Sequence, residues 1–369
     1  MTRSEKKKRY DGMLIFVVLL LVAAGLVILY STSAYNGQVK FHDPFHYLKK
    51  QGFATLLGLF GMALIARVDY HKWVPLAIPA YVTSIILSVA VIFFGDEYNG
   101  SKRWLSLGPI SFQPSEFAKV AVILFLAWQI ERTKKATMGF GFMCRTILTL
   151  LPIIGLVGSN NLSTAIIILG IGGILIFVSN PGYLEFIGLG SAGAGFIAVF
   201  LAAESYRLER LAIWRNPEKY EKGYQTLQGL YAIGSGGLFG RGLGNSVQKL
   251  GFLPEAQNDM IFSIICEELG LFGAVLLTIL FVFLLYRLMF IAQNAPDLFG
   301  SLMVSGIFIH IALQVIFNIA VVLNLMPNTG VTLPFVSYGG TSIVFLMSEM
   351  GLALSVARQI KFKEPERLL

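Results

Sequence analysis

Residues 253–270, LPEAQNDMIFSIICEELG, mark the point where a long polar segment ends and an apolar run begins. The run 260–286 is apolar apart from Glu267 and Glu268 and is long enough to cross a bilayer. Asp259 stands on the last polar residues before it. A carboxylate held beside a low-dielectric region is a candidate for chemistry; the plainer alternative is an acid in a first helical turn that complements the macrodipole. A helix beginning at Asn258 would put Asp259, Phe262, Cys266 and Glu267 on one face and turn Glu268 away. On that geometry Glu267 is expected to line the same cavity as Asp259.

Working outward, the whole chain has the same character. Of 369 residues, 55% are hydrophobic and 14% charged, whereas soluble domains carry roughly 25% charged residues. A mean hydropathy of +0.70 agrees. This composition defines an integral membrane protein. Cys144 and Cys266 lie in or at the edge of apolar runs, which argues against a disulfide framework, and no zinc-ligand spacing exists. His42 and His46 are four apart but lack nearby partner ligands, so they read as loop residues.

Ten apolar runs are expected to span, near 13–34, 51–67, 74–95, 114–130, 143–158, 162–179, 183–203, 260–286, 298–323 and 338–357. The first follows Lys6, Lys7, Lys8 and Arg9 and exceeds the roughly 7–15-residue core of a signal peptide, which makes it a retained span. An even number of spans puts both termini on one side. The basic residues that fall on that side include Lys6 to Arg9, Arg67, Lys72, Arg132, Lys134, Lys135, Arg145, Arg287 and Arg358, so the termini, 1–12 and 358–369, are expected in the cytoplasm. The net charge of +8 is a topology signal; no basic stripe with interleaved aromatics points to nucleic acid. The expected fold is all-α: one polytopic membrane domain of about ten helices with a single large extracytoplasmic loop, 204–258.

That loop holds GSGGLFGRGLG at 234–244. No strand precedes the glycines, so a dinucleotide fingerprint is excluded. Two readings stay open: backbone N–H groups that approach a phosphate beside Arg241, or a flexible connector. Between the third and fourth runs, Arg103 and Trp104 suit an interface anchor. Pro114 suits a first helical turn, after which Glu116 and Lys119 fall three apart on one face. They form either an internal ion pair or a functional pair facing a cavity. Gln314 and Asn318, four apart, are expected to bond neighbouring helices. The turn 326–342 is rich in Pro, Gly and hydroxyls, tolerable near membrane depth only when buried in protein or lining a wet cavity.

Four motifs in order carry a resemblance: KRW with QPSEFAK at 102–119, GYQTLQ at 223–228, GLGNSVQKLGFLPEA at 242–256 and LPFVSYGG at 333–340. With these the chain resembles the SEDS family of polytopic bacterial membrane proteins, over nearly its whole length. The GNSVQKL and Pro-Glu-Ala wording looks like the division-type branch of that family. The resemblance implies a peptidoglycan glycosyltransferase that polymerises lipid II on the outer face of the plasma membrane at the division septum. It also implies a class B penicillin-binding protein and other division membrane proteins as partners. The family's essential aspartate maps onto Asp259. Gln257-Asn258 stands where many members have His-Thr, and 160–164 reads NNLST where many carry an aspartate, so neither a histidine relay nor a carboxylate is carried over there.

Joining a 4-hydroxyl to an anomeric carbon needs a base on the acceptor and charge stabilisation on the departing diphosphate. The diphosphate leaves unprotonated, so one carboxylate suffices, unlike the pair of most glycosidases. Asp259 is assigned as that base. Arg103, Trp104, Lys119, Arg241, Lys249, Glu267 and Ser337 are candidate substrate contacts, with Glu116 orienting Lys119. No dedicated metal site is expected, while a divalent cation, Mg or Mn, bridging Asp259 and the diphosphate is the one cofactor the chemistry admits. The rivals are a transporter that flips the lipid-linked precursor, against which the absence of a clear internal repeat counts, a structural scaffold for the division machinery, and elongation-type or sporulation-type polymerases of the same family.

Overall fold

The structure is a computed structural model. It describes residues 10–98, 101–107, 110–133, 139–179 and 205–360, with 187–188, 190–191, 193–195 and 198–199 between them. The expected span 183–203 and the basic ends of the chain therefore lie largely outside the described residues.

The long helices are α1 (Gly12–Phe41), α2 (His46–Arg67), α3 (Ala77–Phe94, entered through a 3-10 helix Tyr70–Leu76), α4 (Pro114–Arg132), α5 (Phe140–Asn160) and α6 (Leu162–Ser179). After them come α7 (Ser205–Arg215), α8 (Tyr224–Gly236), α9 (Ile261–Gln293), α10 (Leu298–Val322) and α11 (Gly340–Ala357). Lipid leaves a backbone no partner but itself, which forces helices wherever the chain is apolar for long enough. Among the described residues, seven stretches are long and apolar enough to cross a membrane: α1, Tyr70–Phe94, α5, α6, α9, α10 and α11. The helices α2 and α4 carry more charge, and α4 shows how that is tolerated. It lies against α3, α6, α10 and α11, and Glu116 and Lys119 are buried among protein, away from lipid. Helix α11 packs most extensively on α2, and α10 joins α9, α4 and α6 in one continuous apolar core.

One departure from an all-helical chain is small. Three short strands, β1 (Asp96–Tyr98), β2 (Ser101–Leu107) and β3 (Ile110–Phe112), form an antiparallel sheet with β2 central and Trp104 opposite Asp96. It carries Lys102 and Arg103 across the end of the bundle where α4 begins.

The polar segment 204–258 is not a plain loop. Helix α8 packs along α9, and the glycine-rich stretch that follows it pairs with α9 through backbone. Helix α9 breaks at Gly270, whose φ is +68°. At the break Leu271 and Phe272 N–H donate to Gly237 O (2.9 Å) and Leu238 O (3.0 Å). In return Arg241 and Gly242 N–H donate to Glu267 O (2.9 Å) and Glu268 O (2.9 Å). The groups the kink frees are thus satisfied by the neighbouring segment, which is what makes a kink tolerable at membrane depth. A Cβ at Gly270 would lie 2.3 Å from Gly240 N, so only glycine admits this approach.

A candidate active site at one end of the bundle

Helix α9 starts at Ile261 with Met260 as its N-cap and no side-chain cap, so Asp259 precedes the helix instead of opening it. This corrects the expected start at Asn258. Asp259 is held by its backbone: Asn318 Nδ2 on α10 donates to Asp259 O (2.8 Å) and to Val331 O (2.8 Å). One turn earlier Gln314 Nε2 donates to Thr332 O (3.1 Å), and Gln314 Oε1 accepts from Lys119 Nζ (3.2 Å). The two amides on α10 thereby fix the approach of the 331–332 segment to Asp259. Gln314 meets another helix as expected, while Asn318 bonds loop backbone.

The Asp259 side chain is buried, and its Oδ1 has no hydrogen-bond partner among the described residues. A buried unpaired carboxylate oxygen is costly and marks a place where structure has been given up for something else. Burial pushes its carboxyl up to about 7, with Glu255 adding repulsion; Arg210 and Arg103 pull the other way. A side chain built on Gly330 would meet Asp259 Oδ2 at 3.8 Å and Arg103 Nη1 at 4.0 Å, so the carboxylate and the guanidinium border one small space. Arg103 is anchored by Nε donating to Asn160 O (3.0 Å).

Arg210 was not among the sequence candidates. It lies on α7, where Arg210 Nη1 donates to Asn328 O (3.1 Å) and Trp214 Nε1 to Asn324 O (3.0 Å). These two are four apart on one helical face, and a helical reading of 205–215 would have pointed both at one target.

Most of the other candidates are placed elsewhere. Glu267 is buried and accepts from Ser246 Oγ, Val247 N–H (3.0 Å) and Gln248 N–H (3.3 Å), with Arg241 Nη1 at 3.6 Å. Glu268, expected to point away, is buried too. It accepts from Lys249 Nζ (2.6 Å) and from Ser31 Oγ of α1 (2.7 Å). Arg241, Lys249 and Glu267 therefore clamp the 241–249 segment onto α9 and α1 and do not share the space around Asp259. Ser337 is buried and serves its own turn, its Oγ accepting from Leu333 N–H (2.9 Å). Glu116 and Lys119 form a buried ion pair at 2.8 Å, joined to the Asp259 neighbourhood only through Gln314. Trp104 is half-buried on β2.

The donor set around Asp259 does not fit a resident divalent cation. Glu255 is bonded to Asn258 Nδ2, the other charges nearby are Arg103 and Arg210, and no group of three His, Cys, Asp or Glu could hold a metal among the described residues.

Fold and site define a polytopic α-helical membrane protein with a buried carboxylate at one end of its bundle, one of its oxygens without a hydrogen-bond partner, near two arginines. A family model described as a cell cycle protein, spanning FtsW, RodA and SpoVE, matches residues 11–362. The chain belongs to this FtsW/RodA/SpoVE family, the SEDS group that its motifs resemble. It is 39% identical over 364 residues to the stage V sporulation protein E of Bacillus subtilis, covering 97% of this chain and 99% of that protein. To a probable peptidoglycan glycosyltransferase FtsW of Saccharophagus degradans it is 35% identical over 368 residues, covering 97% and 95%. Among solved structures it matches a chain of a peptidoglycan synthase complex that coordinates polymerization and crosslinking, with a TM-score of 0.80 at 31% identity over 95% of this chain and 98% of that one. The crystal structure of Thermus thermophilus RodA gives 0.72 at 31% identity, over 96% and 98%.

Proposed function

We propose that this chain is a peptidoglycan glycosyltransferase that polymerises lipid II, with Asp259 as general base. The observation that carries the reading is the buried, unpaired Oδ1 of Asp259 beside Arg103 and Arg210. A carboxyl held near pH 7 is a far better base than one of ordinary acidity, yet is still ionised often enough to act. The acceptor 4-hydroxyl donates to Asp259. As the new bond from that oxygen to the donor's anomeric carbon forms, the bond from carbon to diphosphate breaks, its electron pair leaves with the diphosphate, and the proton passes to Asp259. Arg103 meets the charge that grows on the leaving group. One displacement on the face opposite the leaving group inverts the anomeric centre.

Relatives named as FtsW glycosyltransferases support the activity, and the match to a synthase complex supports a class B penicillin-binding protein as partner. The site end then faces the cell exterior and both termini the cytoplasm, at the division septum of the plasma membrane. A sporulation-stage role is the second reading, favoured by the 39% identity to the B. subtilis protein. A fluorescent fusion enriched at vegetative septa supports the first; one visible only in sporulating cells supports the second. Purified protein with its transpeptidase partner and lipid II should yield glycan strands, while Asp259→Ala should fold and yield none. Strands from Asp259→Ala, or lipid flipping without polymer from wild type, would contradict the assignment.

A further inference from the structure

The turn between α5 and α6 touches the walls of the Asp259 space at two points. Asn160 O accepts from Arg103 Nε (3.0 Å), and Ser163 Oγ donates to Thr329 O (2.8 Å). The turn is itself fixed. Asn161 N–H donates to Val157 O (2.7 Å) and closes α5, while Asn161 Oδ1 accepts from Thr164 N–H (3.2 Å) and Asn161 O from Ala165 N–H (3.1 Å), which caps α6. Ser163 is buried, and its hydroxyl is spent on a segment 166 residues further along the chain. Residues 160–163 carry no charge, so what the turn contributes is a backbone oxygen and one hydroxyl.

Segment 329–332 is held carbonyl by carbonyl. Thr329 O accepts from Ser163 on α6, and Val331 O and Thr332 O accept from Asn318 and Gln314 on α10. Gly330 stands between the first two, at a φ of +68°, and borders Asp259 Oδ2 and Arg103 Nη1. Because Asn318 also donates to Asp259 O, α10 fixes the carboxylate side of the space. The α5–α6 turn fixes the side of Arg103 and Thr329. We propose that Ser163 is a positioning residue: together with Asn160 O it sets how far Arg103 and Gly330 stand from Asp259, and so the width of the space in which acceptor hydroxyl and leaving group meet. It touches no reacting atom and acts through Gly330 and Arg103. Without its hydroxyl, Thr329 O loses the bond that holds it, and the wall at Gly330 is free to shift. A misplacement of about 1 Å costs on the order of 10²-fold in rate. The stretch 160–164 does this without the aspartate that many family members carry there. The effect on rate rests on the glycosyltransferase reading; the coupling of Ser163 to Gly330 does not.

The test is Ser163→Ala in the full-length protein, which removes the hydroxyl alone and suits a first helical turn. With the transpeptidase partner and lipid II, kcat should fall about 10- to 100-fold while KM for lipid II stays within about 2-fold. Ser163→Thr keeps the hydroxyl and should return kcat to within about 3-fold of wild type. Amide exchange followed by mass spectrometry in nanodiscs should be at least about 5-fold faster across 326–335 in Ser163→Ala, and unchanged in Ser163→Thr. Wild-type kcat or unchanged exchange in Ser163→Ala would overturn the proposal. So would a loss of kcat that Ser163→Thr shares in full, which would make the position one of packing alone. If the wild type yields no glycan strands while exchange still quickens in Ser163→Ala, the glycosyltransferase reading fails and the coupling of Ser163 to the Gly330 wall stands.

Discussion

Asp259 is kept poised by opposing neighbours, and its titration follows from them. Its carboxyl is pushed up to about 7, first by burial and then by Glu255. The base form is the ionised one, so kcat/KM should fall as pH drops through about 7. Glu255→Gln removes one raising influence and should move that limb to lower pH; Arg210→Gln removes a lowering one and should move it higher. A pH-rate profile of each variant reads both shifts. The stability consequence has the opposite sense. An acid whose folded value lies above its unfolded value contributes stability that is present below about 4 and lost as pH rises through 7. Asp259→Asn should therefore raise the unfolding temperature at pH 8, by the equivalent of a few kcal/mol, and change little at pH 4. Asp259 was visible in the sequence because it stands where polarity changes. Its exact setting was not: α9 has no Ser, Thr, Asp or Asn cap to mark its first residue, so a start three residues early looked equally good.

At the scale of elements, α8, the 237–249 segment and α9 act as one clamp. Gly270→Ala must place a Cβ against Gly240 N at positive φ, which should cost more than the about 1–3 kcal/mol of the backbone strain alone. Lys249→Met leaves the Glu268 carboxylate buried against the Ser31 hydroxyl and one N–H, an uncompensated charge worth about 3–5 kcal/mol. Thermal unfolding in detergent should show a loss for both. The helices themselves were legible, since a lipid solvent leaves long apolar runs one option. The partners of Glu267 and Glu268 were not, because they lie 19 to 237 residues away and are set by how the glycine-rich segment folds back. The same fold-back took Lys249 and Arg241 out of the set around Asp259.

Among the described residues, charges inside the bundle meet one another, while Asp259 keeps its Oδ1 without a hydrogen-bond partner. Glu116–Lys119 is a buried ion pair on α4, and His310 Nδ1 of α10 lies 2.9 Å from the buried Glu349 Oε1 of α11. Lys119→Met alone should destabilise by about 3–5 kcal/mol, whereas Glu116→Gln with Lys119→Met should recover most of it. A double-mutant cycle on unfolding temperature separates the two, and it tests whether the pair acts as structure. Hydropathy reached this level well, down to α2 and the order of the helices. It could not show that α4 is wrapped by protein, because burial among helices leaves no periodic mark when every face is apolar. The buried Oδ1 of Asp259 has no hydrogen-bond partner, and the central claim rests on it. The most direct measurement is the rate of glycan strand formation from lipid II by Asp259→Asn, folded and bound to its partner. A loss of about 10²–10⁴-fold with substrate affinity kept is the predicted result; strand formation at the wild-type rate would contradict it.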